Sequence, residues 1–146
     1  MHTRTLDSVK PSPLFSQLAQ GKFEITATRQ PPYDSVDGVV LARTSFVKTF
    51  HGDLQANGTV EMLSAGTPTQ GSAAYVALER VNGWLGGRQG SFVLTHLGVM
   101  TRGEATLNLA VVPDSGTSGL TGLVGQMAIE IRDGVHFYSF EYALSG

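Results

Sequence analysis

The stretch from Tyr75 to His96, YVALERVNGWLGGRQGSFVLTH, constrains the fold more than any other. Two runs rich in Val, Leu, Phe and Tyr flank Gly86-Gly87, the pair that supplies the positive φ angles of a tight two-residue hairpin. Such a loop places Glu79 opposite Leu94, with His96 one same-face step away. Because side chains alternate with period two, Tyr75, Ala77, Glu79 and Val81 then share a face with Phe92, Leu94 and His96. A carboxylate and an imidazole thus sit on an otherwise apolar face. A loop one residue longer would put Glu79 and His96 on opposite faces.

The same alternation recurs along the chain. Residues 21–29 set Phe23, Ile25 and Ala27 against Lys22, Glu24, Thr26 and Thr28, as a strand with one wet face does. Residues 39–51 and 53–65 form a hairpin about His51-Gly52-Asp53. With Gly52 at its apex, Phe46, Phe50, Leu54, Ala56, Val60 and Met62 gather on one face, Lys48 lies among them, and Arg43 faces Glu61 on the other. Lys48 is expected to snorkel out of that face, and Arg43 with Glu61 to form an exposed cross-strand pair. Strands at 72–85, 88–101 and 103–112 follow, the last turning Ala105, Leu107, Leu109 and Val111 inward. The glycine-rich loop 113–125 lacks the Gly-Lys-Ser/Thr ending of a phosphate-binding loop and reads as a structured crossing, with Leu120 and Leu123 closing one end of the core. Asp133-Gly134 is a second strong hairpin signal, joining 126–132 to 135–144. Its register puts Met127, Ile129 and Ile131 on one face with His136, Tyr138, Phe140 and Tyr142, and Gln126, Glu130, Arg132 and Glu141 on the wetter one.

Eight strands joined by short turns, with no long helix between them, predict a closed eight-stranded antiparallel barrel, since closure removes exposed sheet edges. A two-sheet sandwich is the alternative. The domain reading is an N-terminal arm at 1–20, where residues 14–19 could form a short helix, followed by a single barrel at 21–146. Eight strands enclose an interior that is filled or just able to hold one small ligand.

Composition narrows the function. The 146 residues include no cysteine, which removes disulfides, thiolate metal sites and a cysteine nucleophile and fits a reducing cytoplasm. Twelve acidic and 10 basic residues give a net charge of −2 without blocks, whereas nucleic-acid or anionic-membrane binding needs a concentrated basic patch. No apolar run is long enough to span a bilayer as a helix. His2, His51, His96 and His136 lie apart without zinc-ligand spacing, and no G-x-S-x-G nucleophile elbow occurs. Neither a metal nor a cofactor is expected. Arg88 reads as a solvated turn residue and Trp84 as core or interface packing.

Several segments carry a family resemblance. They are Phe50-His51-Gly52-Asp53-Leu54, Tyr75 through Val81, Gly86-Gly87-Arg88-Gln89-Gly90-Ser91-Phe92-Val93-Leu94 with His96, and Val111-Val112-Pro113 through Gly125. In this order they resemble an uncharacterised bacterial family known only as a domain of unknown function, with a barrel similar to those of allene oxide cyclase and the dirigent proteins. The resemblance covers roughly residues 20 to 144. Ser118 stands where that family's loop more often has glycine, and Thr95 where it often has glutamine. What the resemblance implies is a fold and a possible internal pocket, without established catalytic residues.

Two functional expectations follow. One is a small-molecule-binding barrel for a small apolar or aromatic ligand, its pocket lined by Tyr75, Phe92, Lys48, His136, Tyr138 and Tyr142. The other is a cofactor-free cyclase or isomerase in which Glu79 and His96 form the acid-base pair. A structural oligomer without a ligand is a third possibility. Val76, Leu78, Val93 and Leu97 on the outer face of the central hairpin predict a homodimer.

Overall fold

In the computed structural model, residues 15–144 are described. Nine strands run β1 Gln17–Arg29, β2 Asp34–Val36, β3 Val39–Gly52, β4 Leu54–Gly66, β5 Ala73–Leu85, β6 Arg88–Thr101, β7 Glu104–Val111, β8 Leu123–Arg132 and β9 Val135–Leu144. Each strand of the series β3 to β9 pairs antiparallel with the next, β9 pairs with β1, and β1 pairs with β3. The sheet is therefore a closed eight-stranded barrel, with the short β2 added at the start of β3. The predicted barrel stands and the sandwich does not. Among the described residues no helix is long and apolar enough to cross a membrane.

The Gly86-Gly87 register is as read from the sequence: Leu85 faces Arg88 and Glu79 faces Leu94, with both glycines at positive φ. The Asp133-Gly134 hairpin likewise pairs Arg132 with Val135 and Ile129 with Tyr138. Between β3 and β4 the partners differ from expectation, because Phe50 faces Ala56 instead of Leu54. The apex is Asp53, not Gly52. Asp53 is held by β1, whose Gln20 N–H donates to Asp53 Oδ2 at 2.9 Å and whose Gln20 carbonyl accepts the Asp53 N–H at 3.1 Å. A shift of two residues preserves every face, so Phe50, Leu54, Ala56 and Val60 still point inward.

Four further corrections concern local structure. β1 begins at Gln17, inside the expected arm, and residues 17–19 pair with Tyr142, Glu141 and Phe140; they are strand and not helix, because this pairing buries Ala19. The rest of the arm, residues 1–14, lies outside the described residues. β8 starts at Leu123, three residues early, and Leu123 and Gly125 pair with Leu144 and Tyr142. β2 arises from an Asp37-Gly38 turn at positive φ, the same signal as Asp133-Gly134 on a run too short to show alternation. Glu141 is only 1% exposed on a face expected to be wet, where it lies between its cross-strand neighbours Leu18 and Gln126 and accepts a hydrogen bond from Gln126 Nε2 at 3.2 Å.

One end of the barrel is sealed. The loop after β7 folds across it, held by the Thr117 N–H to Ser91 carbonyl bond and by Thr117 Oγ1 and Ser115 Oγ accepting from the Ser91 and Val93 N–H groups. A short 3₁₀ turn, Ser118–Leu120, delivers Leu120, which with Leu54, Leu85 and Leu123 is buried. Ser118 sits at φ +51°, the left-handed region that favours glycine. Above this plug the core is aromatic. Phe92 and Phe140 stack at 5.6 Å, Phe140 and Tyr142 at 5.3 Å, and Phe50 meets the edge of Tyr138 at 5.6 Å.

Candidate functional site at the open end of the barrel

Among the described residues nothing plugs the opposite end. A cavity of about 300 Å³ opens there, and all eight barrel strands line it: Phe23 of β1, Lys48 of β3, Met62 of β4, Tyr75 of β5, His96 of β6, Leu107 of β7, Ile129 of β8 and His136 of β9. Its volume lies at the small end of the range for ligand pockets.

The floor of this cavity carries its charge. Glu79 is 0% exposed, and its Oε1 accepts from Lys48 Nζ at 3.1 Å and contacts His96 Nε2 at 2.8 Å. Lys48 and His96 are themselves only 4% and 6% exposed. Lys48 therefore does not snorkel to the surface. It is held inside by Glu79 and by the face of Phe23, 4.6 Å from Nζ, a cation–π arrangement strengthened by desolvation. Since a carboxylate only accepts hydrogen bonds, the proton of the His96–Glu79 contact belongs to Nε2.

Gly58 makes the cluster possible. It lies on β4 opposite Lys48, and a Cβ there would come within 2.4 Å of Glu79 Oε2. The missing side chain leaves space for the carboxylate to cross β4 toward Lys48 on β3. Among the described residues Glu79 Oε2 has no hydrogen-bond partner, an uncommon and costly condition for a buried oxygen.

Tyr75 stands at the mouth, its ring against Gly98, where a Cβ would come within 2.2 Å of the ring. Burial, reinforced by the negative charge of Glu79, raises the Tyr75 hydroxyl above its ordinary pKa of 10.0. His136 packs its ring on Phe23 at 5.1 Å. No group of three or more His, Cys, Asp or Glu side chains that could hold a metal occurs among the described residues.

Of the residues singled out from the sequence, Glu79 and His96 are in direct contact, and Lys48, Tyr75 and His136 line the cavity with His96. Phe92, Tyr138 and Tyr142 face inward but belong to the sealed half, outside the lining. Tyr138 instead uses its hydroxyl as a clamp on the β3–β4 turn, accepting from the Leu54 N–H and donating to the His51 carbonyl, both at 2.9 Å. Sequence reasoning missed Gly58 and the Lys48–Glu79 pair. The available signal was a glycine in the middle of the apolar inward row Leu54, Ala56, Val60 and Met62 of β4.

Fold and site together define a closed antiparallel barrel with an end-open lumen over a buried lysine, glutamate and histidine cluster. The chain belongs to the DUF3224 family, described as a protein of unknown function, whose model matches residues 19–142. It is similar to the crystal structure of a protein of unknown function from that family from Shewanella oneidensis MR-1, with 50% identity, a TM-score of 0.85, and coverage of 89% of this chain and 98% of the other. A comparison with curated proteins finds no match.

Proposed function

We propose that the barrel binds a compact, mainly apolar small molecule in the lumen. The observation that carries this reading is the asymmetry of the two ends. Leu54, Leu85, Leu120 and Leu123 are buried at one, while about 300 Å³ stays open at the other. A barrel serving only as a scaffold has no need of such a space. Apolar walls from Phe23, Leu107 and Ile129 with a few polar tips are what small-molecule sites require. Lys48 is already neutralised by Glu79, so the preferred ligand is neutral or weakly anionic. In a thermal-shift screen of aromatic, terpenoid and oxylipin-like compounds, a ligand at about 100 times its Kd should add about 2.7 kcal/mol of stability. No stabilisation by any of them, with tight nucleotide binding instead, would overturn the proposal.

The 2.8 Å contact between His96 and Glu79 favours a second reading, a cofactor-free isomerase or cyclase. In it His96, which lines the lumen, transfers the proton, and Glu79, sealed beneath, orients the ring. Outside the barrel, Leu63, Val76 and Leu97 adjoin across β4, β5 and β6 as an exposed apolar row, with exposed Leu78 beside them. We infer that a second copy covers this row. Light scattering should report twice the single-chain mass at micromolar concentration; the mass of one chain would refute it.

A further inference from the structure

Resting on the reading of the lumen as a ligand site, we propose that it is built for proton abstraction next to a carbonyl. His96 Nδ1 takes the α-proton of a compact apolar ketone or aldehyde, while Lys48 and Tyr75 hold the carbonyl oxygen as it becomes an enolate.

The argument starts from the tautomer. Glu79 Oε1 accepts from Lys48 and, as a carboxylate, also requires the proton on His96 Nε2. In the neutral ring the lone pair is then on Nδ1. Among the described residues Nδ1 has no hydrogen-bond partner. The buried side-chain nitrogens and oxygens that are both sealed and unpartnered there are Glu79 Oε2 and Ser139 Oγ. The unpartnered Nδ1 is therefore not sealed, and the ring that carries it lines the lumen. An unprotonated imidazole nitrogen, oriented from behind by a buried carboxylate, is the arrangement of a general base.

The donors are equally defined. Lys48 Nζ has three protons, one directed to Glu79 Oε1, and lines the same space. The Tyr75 hydroxyl has no protein partner among the described residues and, as a phenol, holds a proton to donate at neutral pH. Two fixed donors on the wall of a mainly apolar cavity stabilise a developing oxyanion more than they could in bulk water.

The step is balanced without a further reactant. The α-carbon C–H bond breaks and its proton forms N–H on Nδ1. The released electron pair becomes the C=C bond, and the carbonyl π pair moves to oxygen, where Lys48 and Tyr75 hold it. Return of the proton from Nδ1 to the same carbon completes exchange; in an unsaturated substrate, its return to the far end of the conjugated system completes isomerisation. Glu79 is a positioning residue throughout.

The test is hydrogen–deuterium exchange of 2-indanone in D₂O, followed by proton NMR, with saturation-transfer difference reporting binding in the same tube. Wild-type protein should remove the α-proton signal faster than buffer. His96→Gln should slow the catalysed rate by at least about a hundredfold, and Tyr75→Phe by about a hundredfold while still binding the ketone. Glu79→Gln retains an acceptor for Nε2–H but loses the charge that orients His96 and Lys48, so it should lower the rate while saturation transfer still reports ketone binding. Binding without exchange overturns this inference and leaves the ligand site standing. Neither binding nor exchange overturns this inference as well, and the ligand site itself is then decided by the thermal-shift screen. Should His96→Gln fail to fold, the wild-type rate and Tyr75→Phe decide: full exchange in Tyr75→Phe removes the oxyanion assignment.

Discussion

Glu79→Leu is expected to lower the unfolding free energy by about 3–5 kcal/mol, the cost of leaving one charge of a buried pair uncompensated. The stranded charge is Lys48, 4% exposed and bonded to Glu79 at 3.1 Å. Adding Lys48→Met to that background should restore most of the loss, since replacing both members of a buried pair with well-packed apolar side chains is often neutral or stabilising. The double-mutant cycle should therefore yield a coupling of about 2–3 kcal/mol, read from urea midpoints at constant m-value. Gly58→Ala should reproduce a smaller part of the loss, because its methyl displaces the flexible end of Glu79 from 2.4 Å, and should cost less once Glu79 is gone. Additive effects of Glu79→Leu and Lys48→Met would mean that the pair does not sit in a dry interior. The same cycle bears on function. If apolar replacements restore stability, the charged cluster is not there for stability, and its place at the floor of the lumen becomes its reason.

How far the sequence reaches can be judged on these residues. Glu79 and His96 were legible together because they lie on adjacent strands across a two-residue glycine turn, where pairing is arithmetic. Lys48 and Glu79 were not, because β4 separates β3 from β5 and their meeting depends on two successive registers. One of those was displaced by two residues, owing to the hydrogen bonds that Gln20 and Tyr138 share with the β3–β4 corner. Alternation tells which side chains face inward and is silent about which end of the barrel is plugged. Phe92, Tyr138 and Tyr142 thus have the right face and the wrong end. What decides the end is the crossing after β7, fixed to β6 by the Thr117 and Ser115 bonds, a tertiary contact without local periodicity. Barrel closure was legible from the strand count and short turns. The start of β1 was not, since Gln17 to Gln20 become strand only by pairing with β9.

Tyr138 should make the protein lose stability steeply in alkali. Its ring is fully buried and its hydroxyl is pinned to the β3–β4 turn, and burial, the dominant cause, pushes its pKa from 10.0 up to about 12. Ionised in the unfolded chain above pH 10 but still protonated in the folded one, it makes the folded state hold more protons as pH rises, so stability falls. The contribution is complete below pH 10 and is lost as pH climbs through about 12. Two pKa units correspond to roughly 3 kcal/mol. Tyr75 and Tyr142, both raised by burial, act in the same direction. Tyr138→Phe should cost about 1–3 kcal/mol at neutral pH, because the Leu54 N–H and the His51 carbonyl lose their shared partner. It should also flatten the decline between about pH 10 and pH 12 by the Tyr138 share, leaving the slope due to Tyr75 and Tyr142. Urea unfolding across that range separates the two effects. An unchanged alkaline slope in Tyr138→Phe would mean that the hydroxyl is hydrated in the folded protein and that the turn is held by the Gln20–Asp53 bonds alone.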